Sequence, residues 1–124
     1  AEWSIGGKRD DTFGPIVLAG PGGILVELID TAEIRLAPAK PQTAESMVRS
    51  GPGARMLAGL RGAEPADRGG LADLISRISV FFAENADLIS EIEINPVMVR
   101  ADGKGLVAAD ALIVLSPNAD EQES

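Results

Sequence analysis

An α+β fold, an antiparallel sheet covered by two helices, is predicted by three features of the sequence. Several strand-like runs crowd into the first third of the chain, too close together for the crossover helix that parallel pairing requires. A helical period of apolar residues then occupies the middle. A strand–turn–strand pattern closes the chain.

Residues 2–9 alternate loosely through Trp3 and Ile5, then end in the charged cluster Lys8-Arg9-Asp10-Asp11. Residues 15–19 are an apolar run between Gly14 and Gly20, the signature of a buried strand. Gly20-Pro21-Gly22-Gly23 must turn the chain, residues 24–29 read as a further strand, and Asp30-Thr31 turns it again. Glu33-Ile34-Arg35-Leu36 alternates once more.

After Pro38 the period changes. Thr43 can cap a helix whose apolar face is Ala44, Met47 and Val48, and Gly51-Pro52-Gly53 stops it. Residues 54–60 have room for one helical turn, and residues 63–70 read as a loop. Leu71, Leu74, Ile75, Ile78 and Phe82 then follow the i, i+3, i+4 pattern of one buried helical face. Residues 89–99 alternate as a strand that Pro96 interrupts. Asp102-Gly103 is a strong hairpin turn, and residues 106–115 form the returning strand. The folded domain is expected over residues 1–116, with 117–124 a disordered acidic tail.

Composition narrows the function. The net charge is −8, with 19 acids against 11 bases, which argues against nucleic-acid binding and against docking on an anionic membrane. Cys and His are both absent, which excludes thiolate chemistry, disulfides, Cys-type zinc sites and any histidine-based proton or phosphoryl transfer on this chain. No apolar run approaches the length of a bilayer span and no signal peptide is visible, so a cytoplasmic location is expected. Aromatics are only 3% of residues, so the core must be aliphatic.

Two constellations could carry chemistry. Gly20-Pro21-Gly22-Gly23 lacks the spacing of a P-loop or a dinucleotide fingerprint. It reads either as a tight turn or as backbone left bare for close approach to phosphate oxygens. Glu93 and Asn95 share one strand face by the period of two. A hairpin centred on Asp102-Gly103 pairs residue 95 with residue 110, so Asp110 joins them. Three oxygen side chains suit Mg²⁺, which takes one or two carboxylates and fills its shell with phosphate and water. The same pattern also fits a solvated polar face of a hairpin.

The run from Arg9 to Pro15, the Gly-Pro-Gly-Gly-Ile-Leu-Val-Glu segment of residues 20–27, Arg35-Leu36-Ala37-Pro38, Arg61-Gly62 and the Glu93-Ile94-Asn95-Pro96…Asp110-Ala111 set resemble ADP-forming acyl-CoA synthetases in order and spacing. The final motif is also similar to that of the succinyl-CoA synthetase β subunit. Asp11 stands where that family has Pro, and Pro21 where it has Leu.

The resemblance implies the second lobe of an ATP-grasp domain, with ATP/ADP and Mg²⁺ as cofactors and CoA as a substrate of the complete enzyme. Asn95 and Asp110 fall on the Mg²⁺ ligands. Glu93 falls on an acid near the phosphorylated relay histidine, and Gly22, Gly23 and Glu27 lie beside the nucleotide cleft. The first lobe, the CoA-binding domain and the relay histidine have no counterpart here, so the expected partners are an upstream ATP-grasp lobe and CoA-binding domains or subunits. A homodimer is the simplest other cover for exposed apolar surface. The rival expectation is a non-catalytic binding or assembly module that kept the fold.

Overall fold

The computed structural model describes residues 1–22, 32–51, 53–59 and 62–117. The chain runs β1 (Glu2–Asp10), β2 (Gly14–Pro21), β3 (Glu33–Leu36), α1 (Pro41–Ser50), α2 (Ala54–Leu57), α3 (Arg68–Glu84), β4 (Ile89–Val99), β5 (Leu106–Ala108) and β6 (Ala111–Leu115). All the strands pair antiparallel in one sheet ordered β3-β2-β1-β4-β5, with β6 also on β4. The α+β architecture follows the sequence; among the described residues there are three helices, the short α2 standing where one further turn was expected. The strand expected at residues 24–29 and the tail after residue 117 lie outside the described residues.

One face of the sheet is covered by α1 and α3; the opposite face is open only in part, since Ser4, Gly6 and Leu18 on it are buried as well. Trp3 and Ile5 of β1, Val17 and Ala19 of β2, and Ile92, Val97 and Val99 of β4 are buried with the apolar faces of α1 and α3. Gly7 is required there. A Cβ at Gly7 would lie 2.7 Å from the Ile92 side chain and 2.9 Å from the Phe82 ring, so the sheet and α3 can approach only because it has none. By register the other face carries Ser4, Gly6 and Lys8, Ile16 and Leu18, Ile34 and Leu36, and Glu91, Glu93 and Asn95.

Three boundaries differ from the sequence reading. α1 begins at Pro41 with Lys40 as its N-cap, so Thr43 lies inside the first turn and caps nothing. Proline at the first helical position has no N–H to satisfy and a preset φ, which starts the helix earlier. α3 begins at Arg68, because the Asp67 side chain accepts the Gly70 amide at 3.0 Å and caps it. Leu71, Ile75, Ile78 and Phe82 are buried as expected, whereas Leu74 is half-buried at the margin. The returning strand is broken at Ala109-Asp110 into β5 and β6, opposite Pro96, which cannot donate to the ladder. Buried hydroxyls on α3 are satisfied: Ser76 donates to the Ala39 carbonyl and Ser79 accepts the Ala39 amide, each at 2.8 Å.

Candidate functional site

The strand period on β4 puts Glu93 and Asn95 on the open face. Across from them, Ile94 pairs with Ala111 and Val97 with Ala108, so Asn95 faces Asp110 and its amide donates to the Asp110 carbonyl at 3.2 Å. The three side chains line one shallow pocket of about 310 Å³ together with Ala111 and Leu112. Asn95 Nδ2 donates to Glu93 Oε1 at 3.3 Å, which orients both groups. Asp110 Oδ1 accepts the amide of Ala111 at 2.9 Å, which fixes that carboxylate at the start of β6. Glu93 and Asn95 are half-buried and Asp110 is exposed.

The donor set is therefore two carboxylates and one carboxamide. Among the described residues no three acids, histidines or cysteines gather as a metal cluster. A cation that takes most of its ligands from the protein would be under-coordinated here. Mg²⁺ is not, because it keeps waters and phosphate oxygens beside one or two carboxylates.

Gly22 lies on the same end of the sheet but two strands away. Its amide donates to the Glu2 carbonyl at 2.9 Å, and the end of β2 reaches it through the pairs Ser4–Gly20 and Trp3–Pro21. Gly23 and Glu27 lie outside the described residues. Two further residues belong to the open face and escaped the sequence reading: Lys8 pairs with Glu91, placing a cation and an acid beside Glu93. The alternation of β1 signals that Lys8 faces away from the core, but only the β1–β4 register shows what it faces. An apolar hollow of about 180 Å³ adjoins them, lined by Gly6, Gly7, Lys8, Asp10, Ile16, Leu18, Ile34 and Glu91. The sheet thus presents a greasy floor on one side and an acidic rim on the other.

At the far end of β1, Asp10 closes the β1–β2 turn. Its carboxylate accepts the amides of Phe13 at 2.9 Å and Thr12 at 2.8 Å, which hold its pKa below the usual carboxylate range. No helix among the described residues is long and apolar enough to cross a membrane.

Comparison with known proteins agrees with this geometry. The family model for the ATP-grasp domain matches residues 1–115. The chain is 39% identical over 106 residues to acetate–CoA ligase (ADP-forming) I of Archaeoglobus fulgidus, covering 86% of this chain and 15% of that protein. It is 36% identical over 111 residues to the β subunit of acetate–CoA ligase (ADP-forming) II of Pyrococcus furiosus, covering 90% of this chain and 47% of the subunit. Among solved structures, a dinucleotide-forming acetyl-coenzyme A synthetase of Ca. Korarchaeum cryptofilum, in complex with coenzyme A and Mg-AMPPCP, superposes with a TM-score of 0.82 at 36% identity, covering 93% of this chain and 53% of that one. This chain therefore spans about half the length of the β subunit and far less of the Archaeoglobus ligase. With the family model covering nearly all of its length and the fold agreeing, the chain belongs to the ATP-grasp family, and its relatives there are ADP-forming acetate–CoA ligases.

Proposed function

We propose that this chain is the nucleotide- and Mg²⁺-binding portion of an ADP-forming acyl-CoA synthetase, which joins a carboxylic acid to CoA while ATP becomes ADP and phosphate. The observation that carries the reading is the convergence of Glu93, Asn95 and Asp110 on one rim. In this reading Asn95 and Asp110 hold the metal and Glu93 faces the phosphoryl carrier. Gly22, Gly23 and Glu27 border the nucleotide. Bound Mg²⁺ spreads charge off the transferring phosphoryl oxygens. The chain's own contribution is to hold two ligands in register across a hairpin. The related Korarchaeum structure supports the reading, since that enzyme holds coenzyme A and Mg-AMPPCP with its phosphohistidine segment pointing towards the nucleotide binding site.

The relay histidine must come from another domain or subunit, because this chain has none. An upstream ATP-grasp lobe and a CoA-binding domain complete the site, in the cytoplasm where ATP and CoA are available. The isolated chain then binds Mg·ATP weakly or not at all. The test is to mix it with separately produced upstream lobe and CoA-binding domains and to assay acyl-CoA formation. Restored turnover supports the reading. Tight nucleotide binding by the chain alone, seen by calorimetry, would show that its site is already complete. An unproductive mixture that nonetheless assembles would favour the non-catalytic module.

A further inference from the structure

Asp67 lies far from Asn95 and Asp110 in sequence, yet it is tied to the hairpin that carries them. Its carboxylate serves two donors at once: Oδ1 accepts the Gly70 amide at 3.0 Å, capping α3, and Oδ2 accepts the Gly105 amide at 2.9 Å. The surrounding backbone strengthens the link. Asp67 donates its own amide to the Arg100 carbonyl at 2.7 Å, and Asp102 donates to Pro65 at 2.9 Å. Ala66 forms a bridge to Ala101. Gly103 and Gly105 adopt φ of 80° and 82°, which lets the turn fold back toward Asp67 without strain from a side chain.

The β4–β6 ladder holds Asn95 and Asp110 from one side, starting at Ile94–Ala111; the turn side has less to hold it. Its β4–β5 ladder has only three residue pairs, Val97–Ala108, Met98–Val107 and Val99–Leu106. Beyond them the ladder meets Pro96, which has no N–H to give, and then reaches Asn95 and Asp110. A bond that ends on a carboxylate is stronger than one between neutral groups.

We propose that Asp67 is a positioning residue that clamps the residue 101–105 turn to the N-terminus of α3 and so keeps Asp110 in register with Asn95. A side chain that only capped α3 would need one oxygen. Asp67 uses both. The clamp rests on the functional reading only in that Asp110 and Asn95 are metal ligands, since the register it holds is a property of the chain itself.

Asp67→Ser tests it in the full chain. Serine caps a helix as well as aspartate, but its single short hydroxyl cannot also reach Gly105. Asp67→Thr serves the same purpose if the serine variant does not fold. Amide hydrogen exchange should quicken by roughly tenfold or more at Gly105 and Asn95, with Gly70 exchange unchanged. The Mn²⁺ concentration that broadens the NMR signals of Asn95 and Ala111 should rise several-fold. Faster exchange at Gly105 with Asn95 unchanged overturns the proposal, because the turn would then be loose without consequence for the register. Faster exchange at Gly70 with Gly105 unchanged also overturns it, because Asp67 would then act as a cap alone. Absence of Mn²⁺ broadening in the parent chain agrees with a site that needs the upstream lobe, and the exchange result then decides the clamp.

Discussion

Asn95 and Asp110 meet across the break in the last hairpin: the Asn95 amide donates to the Asp110 carbonyl at 3.2 Å, while Pro96 beside it accepts from Ala109 at 3.0 Å. The side chains of both line the same pocket as Glu93. If these two hold the metal of the proposed function, side chains fixed this way lose little freedom when a cation arrives, which favours binding at a site with few protein donors. In the assembled enzyme, Asp110→Ala should lower Mg·ATP-dependent turnover by roughly 100-fold. Its exposure keeps the effect on stability within about 0.5 kcal/mol. Asp110→Glu should also be impaired, because near-octahedral Mg²⁺ tolerates a displaced oxygen poorly. Unchanged turnover in Asp110→Ala removes Asp110 from the metal.

Gly7 offers a stability test independent of function. A methyl group there would press on Ile92 and on the ring of Phe82, both buried. Gly7→Ala should cost about 1–3 kcal/mol in urea unfolding, as overpacking does. An unchanged midpoint would mean that α3 sits farther from the sheet.

The buried face of α3 can be checked by a pair of truncations. Ile75 is fully buried, and Ile75→Ala should destabilise by about 2–5 kcal/mol. Leu74 lies half-buried at the edge of the core, so Leu74→Ala should cost clearly less. Equal losses would mean the helix is rotated from the orientation described.

Asp10 should show a defined acid response. The Phe13 and Thr12 amides lower its pKa in the folded chain below the unfolded value of about 3.9. Its contribution to stability is therefore fully present above the unfolded value, and is lost as pH falls through the folded one. Asp10→Asn should be less stable than the parent at neutral pH, and the gap should close on acidification. NMR titration of the Asp10 carboxyl gives the direct reading: a midpoint at the ordinary aspartate value would contradict the turn geometry.

β6 predicts the behaviour of the isolated chain in solution. Leu112, Ile113, Val114 and Leu115 are all exposed on an edge strand that carries no charge and no proline. Such edges pair with other chains unless they are covered. The isolated chain should associate at high concentration, and Ile113→Lys should reduce the association seen by sedimentation. Equal association in the variant would place the sticky surface elsewhere.

The sequence carried the local features well. The Asp102-Gly103 turn centres the hairpin, so the pairing of residues 95 and 110 was readable before any coordinates. Features that depend on distant partners were not. The pairing of Lys8 with Glu91 needs the register of two strands from opposite ends of the chain. The double role of Asp67, in a stretch read as loop, needs Gly105, 38 residues away. Thr43 misled because a capping residue type before an apolar face is a weak signal beside a proline two residues upstream.

The place of β1 in the sheet order sets how the molecule can be made. Its neighbour β2 follows immediately, but its other neighbour is β4, with Glu2 pairing to Met98. During synthesis the β1–β2 hairpin emerges early with one edge bare, and it waits for α1, α3 and β4 before that edge is filled. Closing so large a loop carries an entropic cost that hairpin contacts do not repay until β4 arrives. The acidic rim on β4 and β6 is local and can form by itself. The floor beneath it is completed only by the pairing of β1 with β4, so a ribosome-bound nascent chain should acquire this face of the sheet in one late step.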